Sequence, residues 1–181
     1  RLRTEVAGDL LALGVPGLAV NVKDAPVRGA LMLLTTLDPP VVAVISVWTQ
    51  QYYGAQMASV LERLRGECTE LAAYLVTESV PMAGPAIVAG ERTTGLANVA
   101  LLRRPDGMDE REWFRRWHID HTQVAIDTQS TFGYTQNAVV RSLTPGAPQL
   151  GAIVEELFPI EATASLHAFF DAADDADLAE R

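Results

Sequence analysis

Residues 107–143 read GMDEREWFRRWHIDHTQVAIDTQSTFGYTQNAVVRSL, and this stretch decides the fold. Its first part carries helix signals. Asp109, followed three residues later by Glu112, is a capping-box-like start with Gly107 just before it. On a wheel of about 3.6 residues per turn, Trp113, Trp117, His121, Val124 and Thr128 share one face, flanked by Phe114 and Ala125. His121 is expected near the middle of that face and His118 at its edge, while Arg115, Arg116 and Gln123 point away. Ile119 and Ile126 make a smaller apolar patch nearly opposite, which predicts that the back of the helix is also covered. Gln129 and Ser130 end the helix, and residues 132–143 read as a strand. Phe132, Tyr134, Gln136, Ala138 and Val140 share one side of it; Gly133, Thr135, Asn137, Val139 and Arg141 share the other. Both sides mix polar with apolar residues. The strand is either the wall of a polar pocket or a half-exposed strand whose polar side chains meet water.

Outward from this stretch, residues 96–103 predict a strand, 104–107 a turn, 152–158 a strand ended by Pro159, and 161–172 a helix with Ala162, Leu166, Phe169 and Phe170 inward. Upstream, residues 1–13 form a helical pattern with Leu2, Val6, Leu10 and Leu13 on one side. Residues 18–22 alternate as a strand, and 30–36 fit a short helix or a strand. Asp38-Pro39-Pro40 is a break, after which the β-branched run 41–49 predicts a buried central strand. Residues 55–65 predict a helix with Met57, Val60, Leu61 and Leu64 inward; 71–80 predict a strand, with a helix also compatible.

The element order repeats. The first half reads α, β, an undecided segment, β, α, β; the second reads β, α, β, β, α. Each matches a βαββαβ unit without one terminal strand. The expected class is therefore α+β: tandem ferredoxin-like units forming a dimeric-type α/β barrel within one chain. The first unit spans residues 1–85 and lacks its opening strand. A Gly- and Pro-rich linker covers 86–94, and the second unit, 95–181, lacks its closing strand.

Composition narrows the function classes. A chain of 181 residues, 49% hydrophobic and 20% charged, fits a globular protein. A net charge of −9 without a basic stripe argues against nucleic acid. The apolar runs are broken well before membrane-spanning length. Cys68 is the only cysteine, so no intrachain disulfide forms, which fits a reducing cytoplasm; it reads as a small half-buried residue. The chain opens on Arg1 without a signal-peptide pattern, which reads as a natural N-terminus lying further upstream.

The second half resembles a known family. FRRWHIDH, with Trp117 and His121 in a W-x-x-x-H spacing, YTQNAVV, with Tyr134, Gln136 and Asn137, and the later IVEELFP and FFDA segments are similar to EthD-like proteins of the dimeric α+β barrel superfamily. The resemblance covers residues 96–181; the first half has no W-x-x-x-H and no histidine. It implies catabolism or tailoring of small or aromatic molecules, among relatives that include cofactor-independent monooxygenases, isomerases, cyclases and haem-binding enzymes. It also implies that the first half completes the barrel rather than carrying an equivalent site.

The candidate chemistry gathers on a few side chains. His121 can accept a proton near neutral pH, with Trp117 and Phe114 drying its surroundings; the alternative is a core histidine satisfied by a backbone carbonyl or by Gln136. Tyr134 and Gln136 can orient a carbonyl or phenol, and Asn98 joins them if its strand face lines the same cavity. His118 and His121 are three apart on one helix, but no motif supplies a third ligand, so no metal is expected and His118 reads as a surface or interface residue. Of Glu155 and Glu156, one faces the more buried side, either as a carboxyl of raised pKa or as a partner of Arg103 or Arg141. His167 reads as packing. No phosphate-binding loop, nucleophile elbow or haem-attachment motif is present, so no cofactor is expected. The leading expectation is an enzyme acting on a small aromatic, polyketide-like or carbonyl compound, by cofactor-independent oxygenation or by isomerisation or cyclisation. His121 is its base, and Trp117, Phe114, Tyr134, Gln136 and Asn98 bind the substrate. A non-catalytic carrier or sensor and a structural barrel with a filled core are the alternatives, and a homodimer is compatible with each.

Overall fold

The computed structural model describes residues 1–34 and 37–181. The fold is mixed α+β, with a two-stranded and a four-stranded antiparallel sheet. The chain divides into two compact units with interleaved boundaries. One comprises Arg1–Ala25, the described part of Thr35–Leu75, and Arg141–Pro148; the other comprises Pro26–Leu34, Val76–Val140 and Gln149–Arg181. Among the described residues no helix is long and apolar enough to cross a membrane.

In the first unit a π-helical turn, Leu2–Val6, runs into α1, Ala7–Ala12. Strands β1, Gly17–Val22, and β2, Ala43–Trp48, pair antiparallel, Gly17 opposite Trp48 and Val22 opposite Ala43. Helix α2, Ala55–Arg65, buries Val60 and Leu64 against Val6, Leu10 and Val15. The expected buried central strand at 41–49 is corrected. β2 shares its sheet with β1 alone and is half-buried, and Val41 and Val42 before it are exposed. A β-branched run signals extended backbone, not how many neighbours the strand will have. The undecided segment 30–36 has neither helix nor strand through Leu34; its last two residues lie outside the described ones. Cys68 is exposed just beyond α2 rather than half-buried, its thiol donating to the Leu64 carbonyl.

The second unit holds most of a sheet ordered β3–β5–β6–β4: Tyr74–Met82, Gly133–Ser142, Ala152–Phe158 and Leu96–Leu102. β6 lies between β4 and β5, antiparallel to both. β4 and β5 therefore run parallel, joined by one long helix: α3, Glu110–Arg115, a π-helical turn, Arg116–His121, and α4, Thr122–Thr128. The helix starts where the sequence places it, with the Asp109 carboxylate accepting the Glu112 N–H at 3.0 Å. β6 alternates buried and half-buried along its length, so Ala152, Val154, Glu156 and Phe158 share the covered face. Trp113, Trp117 and Ala125 pack there with Tyr134, Ala152 and Val154. Gly151 lets the Trp113 ring close in: a Cβ at that position would lie 2.7 Å from the ring.

Residues 161–172 do not form one helix. A 3-10 turn, Ile160–Thr163, is followed by α5, Leu166–Phe170, and the acidic tail adds α6, Asp175–Glu180. Ser165 accepts the Ala168 N–H and restarts the helix, which changes its phase. Ala162 and Phe169 are buried as expected, but Leu166 is exposed. His167 is not packing: it is half-exposed and paired with Asp175 at 3.0 Å.

Candidate functional site

Strand register assembles the polar centre of the second unit. Asn98 on β4 lies opposite Glu156 on β6, and Glu156 lies opposite Tyr134 on β5. Directly opposed residues project to the same side of a sheet, so Asn98, Glu156 and Tyr134 form a row across three strands on the covered face. The next row is Ala100, Val154 and Gln136. Tyr134, Gln136 and Glu156 are 2%, 4% and 7% exposed, deep enough for an unmatched polar group to be costly.

The helix above this row has a phase its sequence pattern conceals. In the π turn the Thr122 N–H bonds the Trp117 carbonyl, five residues back. The extra residue moves everything after it around the axis by one position. Trp113 and Trp117 face inward as expected, but the next inward residues are Thr122 and Ala125 rather than His121 and Val124. His121 and Val124 are exposed. Ile119 is 67% exposed, so the predicted cover over the helix back is absent at that position, while Ile126 packs against the core.

Thr122 is the residue that sequence reasoning missed. Its hydroxyl donates to the Trp117 carbonyl at 2.7 Å and accepts from Gln136 Nε2 at 2.6 Å. It thereby ties the π turn to β5. The available signal was the apolar pair Ala125-Ile126 late in the helix, which fits the shifted phase better than the fours-spaced one.

The structure thus brings together Trp117, Tyr134, Gln136 and Asn98, with Thr122 and Glu156 added. Phe114 lies at the edge, its ring 5.0 Å from Trp113 and 6.1 Å from Trp117. His118 is not a free surface group: it is half-buried, its ring 4.3 Å from Trp117 and 5.3 Å from Phe114. Burial holds its pKa below the usual histidine value. Asn137 projects from the other face of β5, as its alternation requires.

The electrostatics follow from burial. Glu156 accepts from Asn98 Nδ2 at 3.0 Å, a neutral amide rather than an expected arginine. Loss of water raises its carboxyl pKa; the Asn98 hydrogen bond and the charge of His121 pull it back only in part. Burial also raises the Tyr134 phenol, reinforced by the charge of Glu156 and opposed by hydrogen bonding with the Thr122 and Trp117 side chains. His121 lines an open depression with Arg115, Arg116, Asp120 and Val124. At its edge Glu112 is held down at about pKa 2 by Arg115 and Arg116. His121 therefore walls the depression rather than the buried polar row.

Among the described residues no cluster of three or more His, Cys, Asp or Glu is placed to hold a metal ion. Comparison with family models, curated proteins and solved structures finds no match to this chain.

Proposed function

We propose that the second unit binds a small aromatic, polyketide-like or carbonyl-bearing molecule against the Asn98–Glu156–Tyr134 row and transforms it by proton transfer or cofactor-independent oxygenation. The row itself carries the reading. Three polar side chains from three strands converge on one face, and the central carboxyl has a neutral amide partner. A core built only for stability gains little from such a group. A buried carboxyl whose pKa is raised by loss of water is suited to act as an acid or to hold a carbonyl oxygen. His121 at the depression is the exchangeable base, while Tyr134 and Gln136 orient the ligand and Trp117 and Phe114 close its apolar side.

The same proposal includes the family and the finer fold. The chain is an EthD-like protein made of tandem ferredoxin-like units forming a dimeric-type α/β barrel. Supporting it are the W-x-x-x-H and YTQNAVV segments and the placement of β6 between β4 and β5, the strand order such a unit requires.

The test is α-proton exchange in deuterated buffer, followed by NMR over a panel of aryl ketones and phenolic 1,3-dicarbonyls, with oxygen uptake recorded in parallel. Wild type is expected to turn over at least one member. Glu156→Gln is expected to lower that rate by about 10²–10⁴-fold, the usual reach of a positioned acid or base. Unchanged turnover in folded Glu156→Gln and His121→Ala would remove both groups from the reaction.

A further inference from the structure

We infer that the open depression on the solvent side of the α3–α4 helix is a binding site for an aryl carboxylate. The Arg116 guanidinium and the His121 imidazole hold its carboxylate, and its ring lies against Val124. The site goes beyond the buried polar row and does not rest on it.

The π turn builds the site. Arg116 and His121 are five apart in sequence, and on a regular helix such residues point about 140° away from each other. In the wide turn the Thr122 N–H reaches back to the Trp117 carbonyl, and Arg116 and His121 line one depression with Arg115, Asp120 and Val124. Trp117, Thr122 and Ala125 are buried on the other side, so the depression opens to water and not to the row. Ion pairing then divides the two arginines unequally. Arg115 is fully engaged: its Nε and Nη2 donate to the two Glu112 oxygens at 2.9 and 3.0 Å, and its Nη1 donates to both Asp120 oxygens at 3.0 and 2.8 Å. Arg116 gives only its Nε, to Glu112 at 2.7 Å. Its two terminal nitrogens have no partner among the described residues, and its side chain is 59% exposed. The His121 ring is exposed and has no hydrogen-bond partner among the described residues.

These groups define the ligand. The terminal nitrogens of a guanidinium match the two oxygens of a carboxylate in parallel hydrogen bonds, and a neutral imidazole still has one N–H to add. The Glu112 and Asp120 carboxylates stand beside the site and repel further negative charge, which favours a single carboxylate over a phosphate dianion. Val124 is 55% exposed about one turn beyond His121, and a flat ring covers it at small entropic cost.

The probes are 4-fluorobenzoate, its neutral amide 4-fluorobenzamide, and trifluoroacetate, which has the charge without the ring. Each is titrated into the full chain and followed by fluorine NMR, with inorganic phosphate as competitor. The expected result is saturable binding of 4-fluorobenzoate with a Kd on the order of millimolar, as an exposed ion pair allows. The other two probes bind more weakly, and equimolar phosphate does not displace 4-fluorobenzoate. Arg116→Gln is expected to weaken 4-fluorobenzoate by about 3–10-fold, and Arg116→Lys to recover little of the loss, because an ammonium cannot form the parallel pair. His121→Ala is expected to weaken it by about 2–5-fold. None of the three changes the amide, and far-ultraviolet dichroism verifies folding. Equal binding of benzoate and amide, or an Arg116→Gln variant that matches wild type, overturns the site. Full recovery by Arg116→Lys, or displacement by equimolar phosphate, overturns the carboxylate; equal binding of trifluoroacetate overturns the ring. The readout is binding, so a failure here leaves turnover at the polar row to its own test.

Discussion

Thr122→Val is the most direct probe of the helix phase. The two side chains have nearly the same shape, so the substitution removes the hydroxyl without opening a cavity. The Trp117 carbonyl keeps the Thr122 backbone N–H. Gln136 Nε2 loses its acceptor at a position 4% exposed. Stranding a buried amide donor costs about 1–3 kcal/mol, which corresponds to roughly 2–12 °C in Tm for a chain of this size. The assay is thermal and urea unfolding, with Gln136→Leu and the double variant completing a cycle. Removing both partners is nearly neutral where removing one is not, so the double variant is expected to recover about 1 kcal/mol or more against the sum of the singles. His121→Ala, on the exposed side, is expected to lie within about 0.5 kcal/mol of wild type. A larger loss for His121→Ala than for Thr122→Val would refute the shifted phase and restore an inward face spaced in fours.

Two further predictions concern pH and backbone. The Glu156 pKa is raised by burial above the usual carboxylate range, so its stabilising contribution is fully present below the unfolded value and lost as pH rises through the folded one. The stability difference between wild type and Glu156→Gln, read by urea unfolding from about pH 4 to pH 8, is expected to shift steadily against wild type; a flat or opposite trend contradicts a buried carboxyl. Gly95, with φ +123°, places its Cα hydrogen where a Cβ would run into the Phe158 carbonyl oxygen. Gly95→Ala is expected to cost about 1–3 kcal/mol from backbone strain alone, and a Tm equal to wild type would show that β4 starts differently.

Much of the second unit was legible in local pattern. Asp109 marked its cap correctly, and the run AIVEELF closed by Pro159 marked the ends of β6. Asn98, Tyr134 and Gln136 could be named as polar strand residues, but their meeting depends on register between strands, which no single strand encodes. For the same reason the sequence offered Glu155 and Glu156 together, and only the pairing with Asn98 and Tyr134 chooses Glu156. His121 was misplaced for a different reason. A helical wheel assumes a constant advance per residue, and a π turn changes that advance at one point without a residue type to announce it. Leu166 turned outward because Ser165 began a new helix where the apolar spacing suggested a continuous one.

The π turn also bears on what spacing means in this chain. Arg116–His121 holds one residue more than the contact between helix and sheet requires. A shorter sequence, missing one residue among His118, Ile119 and Asp120, could keep Trp113, Trp117, Thr122 and Ala125 inward on a regular helix. Length at this point is therefore decoupled from core identity. W-x-x-x-H joins a buried ring to a solvent-facing imidazole, whereas W-x-x-x-x-T joins two groups that touch. Kinship measured by fixed intervals would weigh the first and overlook the second, although only the second is tied to the packing of the sheet.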